Sequence, residues 1–314
     1  MEFSVITFRL VRSSLLLTVA VLSVSAPAAA FVPPNKRIEP PRGDMVFIAT
    51  TAFKFLKEPK YTAASGTAGF GGDPNGFSVT VNAFYIDRTE VTAGAYAQCV
   101  QSGACPALDQ GDTFSAKYTM VCTYGKPGLE RHPLNCVTHD EATKYCAFAN
   151  KRLPTEAEWE LAARGTTARA FPWGDVAPEP RHMNGSDASL VAAGNTKFNP
   201  PETFTSMWQS PNDDDGWAFT APVGSYPEGA SPYGVLDLAG NVEEWTSEYW
   251  WEITGSGPPM SKGPAGGPSS SSEFVVRGGA WDLNGADNFT ATHRTPSNST
   301  TRAAWLGFRC ARDA

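Results

Sequence analysis

Tyr233-Gly-Val-Leu-Asp-Leu-Ala-Gly-Asn-Val-Glu-Glu-Trp-Thr246 is the stretch on which the reading of this chain turns. It carries neither strand alternation nor helical spacing throughout. Its centre is Gly240-Asn241, a turn pair that tolerates left-handed backbone. Asp237 and Glu244 flank that turn, whose own carbonyls could point inward between them. Calcium takes about six to eight oxygens from carboxylates, amides and backbone carbonyls, and this order offers both kinds. The rival reading is an ordinary solvated turn, since Asp, Asn and Gly dominate turns in any case.

The pattern extends outward from there. Asp213-Asp-Asp215-Gly216 is a second acidic turn. From Gly165 to the end, helical periodicity is almost absent, and loops and short strands rich in Gly, Pro, Asn, Asp and Trp are expected. Residues 255–272 form a low-complexity Gly/Pro/Ser loop. Before Gly165 the elements are clearer. Met45–Ala49, Phe77–Val81 and Phe84–Ile86 read as strands around a Gly-rich loop at 65–75. Thr92 reads as the N-cap of a helix with Tyr96, Cys99 and Val100 on one face. Thr138 with Glu141, and Thr155 with Glu158, each form a capping-box pair opening a further helix, the last ended by Gly165. Loops leave many backbone polar groups to satisfy. A fold of this kind leans on disulfides, bound ions and large aromatic side chains, and this chain has six Cys and nine Trp.

The ends narrow the compartment. Arg9 and Arg12 precede an apolar run from Ser13 to Ala26, and Ala28 and Ala30 make an A-x-A site before Phe31. Residues 1–30 therefore read as a secretory signal peptide. The run is about 14 residues, too short for the roughly 20 that span a bilayer. Residues 31–43 read as a Pro-rich leader and 44–314 as one domain. The expected location is secreted or periplasmic, with no membrane span after cleavage. The chain has 314 residues and a formal charge of −7. No Lys/Arg run is present, which argues against nucleic acid as a partner. All six cysteines lie beyond the signal, at 99, 105, 122, 136, 146 and 310. In an oxidising compartment they imply three disulfides, with about 15 pairings open by count alone. No zinc spacing of Cys and His occurs.

Six segments, in order, resemble the formylglycine-generating enzyme (sulfatase-modifying factor) family. They are Phe84-Tyr-Ile-Asp-Arg-Thr-Glu-Val-Thr92, Asn150-Lys-Arg-Leu-Pro-Thr-Glu-Ala-Glu-Trp-Glu160, Phe171-Pro-Trp-Gly-Asp175, the stretch at 233–246, Val276-Arg-Gly-Gly-Ala-Trp281 and Leu306-Gly-Phe-Arg-Cys310. The resemblance implies an α+β, compact C-type-lectin-like fold with little regular secondary structure. It also implies two structural calcium ions. One would use Asn184, the Gly185 carbonyl, Asp215 and the Trp217 carbonyl. The other would use Asp237, the Gly240 and Val242 carbonyls and Glu244.

Active relatives bind copper through two cysteines a few residues after the Gly-Gly pair and oxidise a substrate cysteine to formylglycine. Thiolates suit Cu(I) because both are soft. Here the corresponding positions are Leu283 and Asn288, or Trp281 and Ala286 counting back from Cys310. No cysteine lies between Cys146 and Cys310 under either count. No copper is expected and no catalytic residue is assigned. Asp282 and Asp287 remain as weak general-base candidates, in keeping with relatives that lack the cysteines and act on small molecules in the periplasm. His293 lies beside them, and His132, His139 and His182 are scattered. Trp281, Arg294 and Trp305, with Tyr249, are candidates for a ligand groove.

Spacing favours Cys99–Cys105 as a short loop at a helix end and Cys122–Cys136 around a Gly/Pro excursion. Cys146–Cys310 matches a family bridge. The family's other bridge would fall near Ala163 and Ala291, where both cysteines are missing together. The expected function is a calcium-stabilised binding or interaction domain for an unidentified protein, peptide or small molecule. The alternatives are an oxidoreductase or tailoring enzyme with a non-cysteine site, and a formylglycine-generating oxidase acting on sulfatases.

Overall fold

Strand alternation starts the domain. In the computed structural model, which describes residues 44–56, 76–108, 111–208, 213–251 and 271–314, Met45–Ile48 (β1) and Phe84–Asp87 (β4) pair antiparallel. Thr51–Phe55 (β2) and Phe77–Val81 (β3) form a two-stranded ribbon, burying Phe53, Phe55, Phe77, Val79 and Val81. The expected signal peptide and leader, and the expected loops at 65–75 and 255–272 (all but residues 271 and 272), lie outside the described residues. The described residues all fall within one unit, Ile38–Ala314.

Each expected cap is present. Thr92 Oγ1 accepts the Ala95 amide at the start of Ala93–Gln101 (α1). Thr138–Glu141 and Thr155–Glu158 close full capping boxes at His139–Phe148 (α2) and Glu156–Arg164 (α3). Each such cap satisfies amides that have no partner inside the helix. Ala188–Lys197 (α4) corrects the expectation of no helix beyond Gly165. Asp187 caps it through the Leu190 amide, but its ten residues bury only Leu190, Ala193 and Gly194. With so narrow a buried face it has little periodicity to read.

The second half builds a four-stranded sheet in the order Arg294–Asn298 (β7), Glu273–Arg277 (β6), Glu243–Tyr249 (β5) and Leu306–Gly307 (β8). Ala311–Asp313 (β9) returns to pair with β4, so β4 lies between β1 and β9. Every residue of α3 is buried. Trp159, Leu161, Ala162 and Ala163 pack on β2, β3 and Val235. Among the described residues no helix is long and apolar enough to cross a membrane.

The charges of α3 explain two of the sequence motifs. Glu156 and Glu160 are fully buried, and Arg277 of the Arg-Gly-Gly segment pairs with both, at 3.0 and 2.8 Å. Arg294 forks onto Glu156 at 2.7 and 2.9 Å, and Arg164 pairs with Glu160. Buried guanidinium–carboxylate pairs persist only when their remaining hydrogen bonds are met. Here carbonyls of Thr292, Ala291 and Trp251 accept further N–H groups, although Arg277 Nε has no hydrogen-bond partner. Arg294 is 1% exposed and therefore belongs to the core, not to a groove.

The three disulfides are Cys99–Cys105, Cys122–Cys136 and Cys146–Cys310, and no cysteine is free.

Candidate calcium centres and cleft

The loop from His182 to Asp187 runs beneath the acidic turn and creates the first centre. Asp187, Asp214 and Asp215 each offer a carboxylate oxygen within 4.8 Å of the others. Asp215 is fixed from several sides. Its Oδ2 accepts the Gly185 amide at 2.9 Å, its Oδ1 the Trp217 amide at 3.1 Å, and its own amide donates to Asp187 Oδ2. Burial pushes the Asp215 carboxyl up to about 8, and Asp187 adds to the rise. Asn184 is fully buried; its amide nitrogen donates to the Phe219 carbonyl, while its Oδ1 has no hydrogen-bond partner. A buried acceptor without a donor costs about 1–3 kcal/mol. An acidic cluster beside an orphaned amide oxygen is a donor set that suits a hard cation.

The structure thus brings Asn184, Gly185, Asp215 and Trp217 together and adds Asp187 and Asp214. Asp187 has no place in the sequence reading; its carboxylate both joins this cluster and caps α4.

The second centre lies under Gly240-Asn241. Both residues hold left-handed backbone, with φ of 78° and 64°, as does Asp237 at 56°. A Cβ on Gly240 would meet the Asn184 carbonyl oxygen at 2.1 Å, so only glycine lets the two centres approach. Asp237 Oδ2 accepts the Gly224 amide at 2.6 Å. Glu244 is more heavily engaged than the sequence suggests. Arg309 reaches both its oxygens at 2.7 Å, and Trp159 Nε1 donates to Oε2 at 2.8 Å. Desolvation raises the carboxyls of Asp237 and Glu244, with Arg309 opposing the rise. Glu90 joins them. It is 3% exposed, its Oε1 accepts from Asn241 Nδ2 at 2.9 Å, and its Oε2 has no partner.

The residues of both centres fit calcium. Asn184, Asp215 and the Gly185 and Trp217 carbonyls would hold one ion. Asp237, Glu244 and the Gly240 and Val242 carbonyls would hold the other. A bound ion supplies charge neutralisation and cross-linking of loops that have few backbone bonds of their own.

The cleft expected beyond Gly278-Gly279 is built differently from the sequence reading. Trp281 is 1% exposed and its Nε1 donates to the Ala304 carbonyl at 3.0 Å, so it is core and lines no open groove. Tyr249 is half-buried against Phe274. Trp305 is half-buried, with its ring between Phe114 and Tyr118 at 5.0 and 5.8 Å. Near it stand Asp282 and Glu243, both part-exposed. Desolvation pushes Asp282 up to about 7, and Asp112 adds to the rise. Desolvation likewise pushes Glu243 up to about 7, and here Asp282 is the neighbour that repels it. Glu243 Oε1 accepts from Thr295 Oγ1 at 3.0 Å, while Asp282 Oδ1 has no partner. Asp287 is raised by desolvation alone. His293 is 6% exposed and lowered to about 4 by burial, so it is a neutral core residue near neutral pH. Glu243 was missed from the sequence because the adjacent Glu244 absorbed the motif.

Comparison with known proteins places this geometry. The sulfatase-modifying factor enzyme 1-like domain matches residues 32–314, and the chain belongs to that family. The formylglycine-generating enzyme of Thermomonospora curvata is 33% identical over 195 residues, covering 58% of this chain and 56% of that protein. The chain spans about half the length of the first relatives it matches. The Mycobacterium tuberculosis enzyme is 28% identical over 287 residues, covering 75% of this chain and 89% of its own. An inactive C-alpha-formylglycine-generating enzyme 2 of Bos taurus is 32% identical over 192 residues, covering 58% and 50%. Among solved structures, PvdO from Pseudomonas aeruginosa superposes with a TM-score of 0.60 at 25% identity, covering 87% of this chain and 95% of that one. The fold is the formylglycine-generating-enzyme form of the C-type-lectin-like architecture, α+β with short strands and long loops.

Proposed function

We propose that this chain is an exported, calcium-stabilised ligand-binding member of the family that does not carry out copper–thiolate oxidation. The observation that carries this reading is the state of its cysteines. All six are in disulfides and none lies between Cys146 and Cys310, the interval after the Gly-Gly pair. Soft thiolate ligands for Cu(I) are therefore missing where the family's chemistry needs them. The bovine relative described as inactive is a family precedent for a fold kept without the activity. The ligand would meet Asp282 and Glu243 beside Trp305 and Tyr118. Two carboxylates next to aromatic faces suit a group bearing positive charge.

Anaerobic Cu(I) titration and incubation with a sulfatase-motif peptide test the first part. No tight stoichiometric copper site and no aldehyde are expected, and formylglycine above background would reverse the reading. A thermal-shift screen of amine-bearing compounds on the mature, calcium-loaded protein tests the second. Shifts that vanish in Asp282→Asn are expected.

A second reading is a tailoring enzyme that uses Asp282 as general base. It is favoured by the position of that carboxyl near 7, where a base can both accept and release a proton at neutral pH. Product formation from a compound found in the screen, lost in Asp282→Asn while binding survives, would select it.

A further inference from the structure

We infer that Asn284 is a site of spontaneous covalent modification, in which the Gly285 amide nitrogen attacks the side chain and converts it to aspartate or isoaspartate. Asn-Gly pairs begin at Asn75, Asn184 and Asn284, and Asn75 lies outside the described residues. The fold treats the other two in opposite ways.

The chemistry needs a free amide, a side chain that can turn, and water. The Gly285 nitrogen bonds to Cγ of Asn284, its proton passes to a base in the solvent, and the side-chain nitrogen leaves as ammonia. The product is a five-membered succinimide. Water then adds to either ring carbonyl and breaks its bond to the ring nitrogen. Opening at Cγ gives aspartate, and opening at the backbone carbonyl gives isoaspartate. The net change is asparagine plus water to carboxylate plus ammonium, with no oxidant and no metal. Glycine in second place favours closure, because it has no Cβ to crowd the ring and its backbone is permissive.

Asn284 meets each need. It is exposed, and it lies in the irregular segment before the short 3-10 helix Ala286–Phe289. The carbonyls on either side are held. That of Leu283 accepts the Ser186 amide at 3.0 Å, and that of Gly285 accepts the Asn288 amide at 3.0 Å. The Asn284–Gly285 peptide between them makes no hydrogen bond among the described residues, nor does the Asn284 side chain. Turning that peptide toward Cγ therefore breaks no protein hydrogen bond.

Asn184 meets none of them. It is fully buried, and the Gly185 amide donates to Asp215 Oδ2 at 2.9 Å. Its side-chain nitrogen donates to the Phe219 carbonyl at 2.6 Å and to Asn241 Oδ1 at 3.3 Å. Attack there would break all of these bonds and strand their acceptors in the interior. The same dipeptide is reactive on one loop and protected on the other.

The consequence falls on the cleft, and this part rests on the ligand reading above. The new carboxylate would stand two residues after Asp282 and three before Asp287. Two residues of chain span at most about 7 Å, within the screening length of about 8 Å in physiological salt. Conversion makes the mouth of the cleft more negative and strengthens its hold on an amine.

Storage of the full mature protein at mildly alkaline pH, with its disulfides intact, tests the site. Peptide mapping by mass spectrometry and labelling by an isoaspartyl methyltransferase read the result. Asn284 should convert while Asn184 stays intact, and both should convert once the protein is reduced and held in urea. Gly285→Ala should slow the reaction at Asn284 severalfold. The backbone there is extended, with φ −110° and ψ 127°, which alanine adopts freely, and the added Cβ would meet only the Asn288 side chain, at 3.2 Å. An Asn284 that converts in urea but not in the folded protein would overturn the assignment. So would equal rates at Asn184 and Asn284 in the folded state. Asn284→Asp reads the consequence, with benzylamine as the probe. Its thermal shift should exceed that of wild type. Equal shifts would overturn the electrostatic consequence, and no shift in either protein would overturn the ligand reading; the modification is judged by the mapping alone.

Discussion

Asn184 and Asn241 hold each other by two hydrogen bonds. The Asn241 amide donates to the Asn184 carbonyl at 3.0 Å, and Asn184 Nδ2 donates to Asn241 Oδ1 at 3.3 Å. Asn241 then passes on to Glu90, and its backbone carbonyl accepts the Trp281 amide. The two candidate centres therefore share a buried polar connection. Calcium at one should raise affinity at the other, since each orders a partner of the same pair. Asn241→Ala should cost about 3 kcal/mol by stranding the Ala221 amide and Glu90. It should also make the two binding steps independent. Urea melts and calcium titration measure the two effects, and unchanged cooperativity in a folded variant would remove the link.

Chelation should lower the melting temperature, because empty acidic centres repel themselves and binding favours the folded state by mass action. Asp237→Asn and Asp215→Asn should each reduce the loss caused by EDTA. Glu244→Ala should behave otherwise. It leaves Arg309 buried without its partner, at a cost of about 3–5 kcal/mol whether or not calcium is present. Equal EDTA sensitivity in all four proteins would argue against metal at either centre.

The carboxyl of Asp282 gives a pH signature. Its folded value of about 7 lies above the ordinary Asp value, so between the two the folded state holds the proton and the unfolded state does not. Stability from this group is full at low pH and is lost as pH rises through the folded value. Asp282→Asn removes the loss. Its melting temperature should exceed wild type by a margin that grows from pH 4 to pH 7 and then levels off. A margin constant with pH would show that Asp282 is not perturbed.

The Cys146–Cys310 bond closes a separation of 164 residues, against 6 for Cys99–Cys105. The chain-entropy account gives roughly 5 kcal/mol for the longer loop, as an upper value. Cys146→Ser/Cys310→Ser should reduce yield and melting temperature far more than Cys99→Ser/Cys105→Ser. Similar losses in the two double variants would contradict that account here.

Local features of the fold were legible where sequence neighbours decide them. Thr138 with Glu141 and Thr155 with Glu158 are contacts three residues apart, and both capping boxes form. What the sequence hid depends on partners far away. Glu90 in Asp-Arg-Thr-Glu looks like a solvated turn residue, and only the approach of Asn241 and Arg309 buries it. Trp281 and Arg294 looked like groove residues, yet Ala304 and Glu156 hold them in the core. Asp187 serves both a helix cap and an acidic cluster, and the cap alone leaves no mark that points to metal.

The placement of β4 between β1 and β9 sets how the domain would carry load. Its first and last strands are two strand spacings apart, about 10 Å. Tension applied across them would shear the β1–β4 and β4–β9 hydrogen bonds side by side. Force entering through β9 meets, at the residue before that strand, the covalent tie from Cys310 to Cys146 of α2. From that end the domain would behave as a clamp with almost no give. The same closeness suits it to insertion in a loop of a host protein, which would have to open by only that distance to receive it.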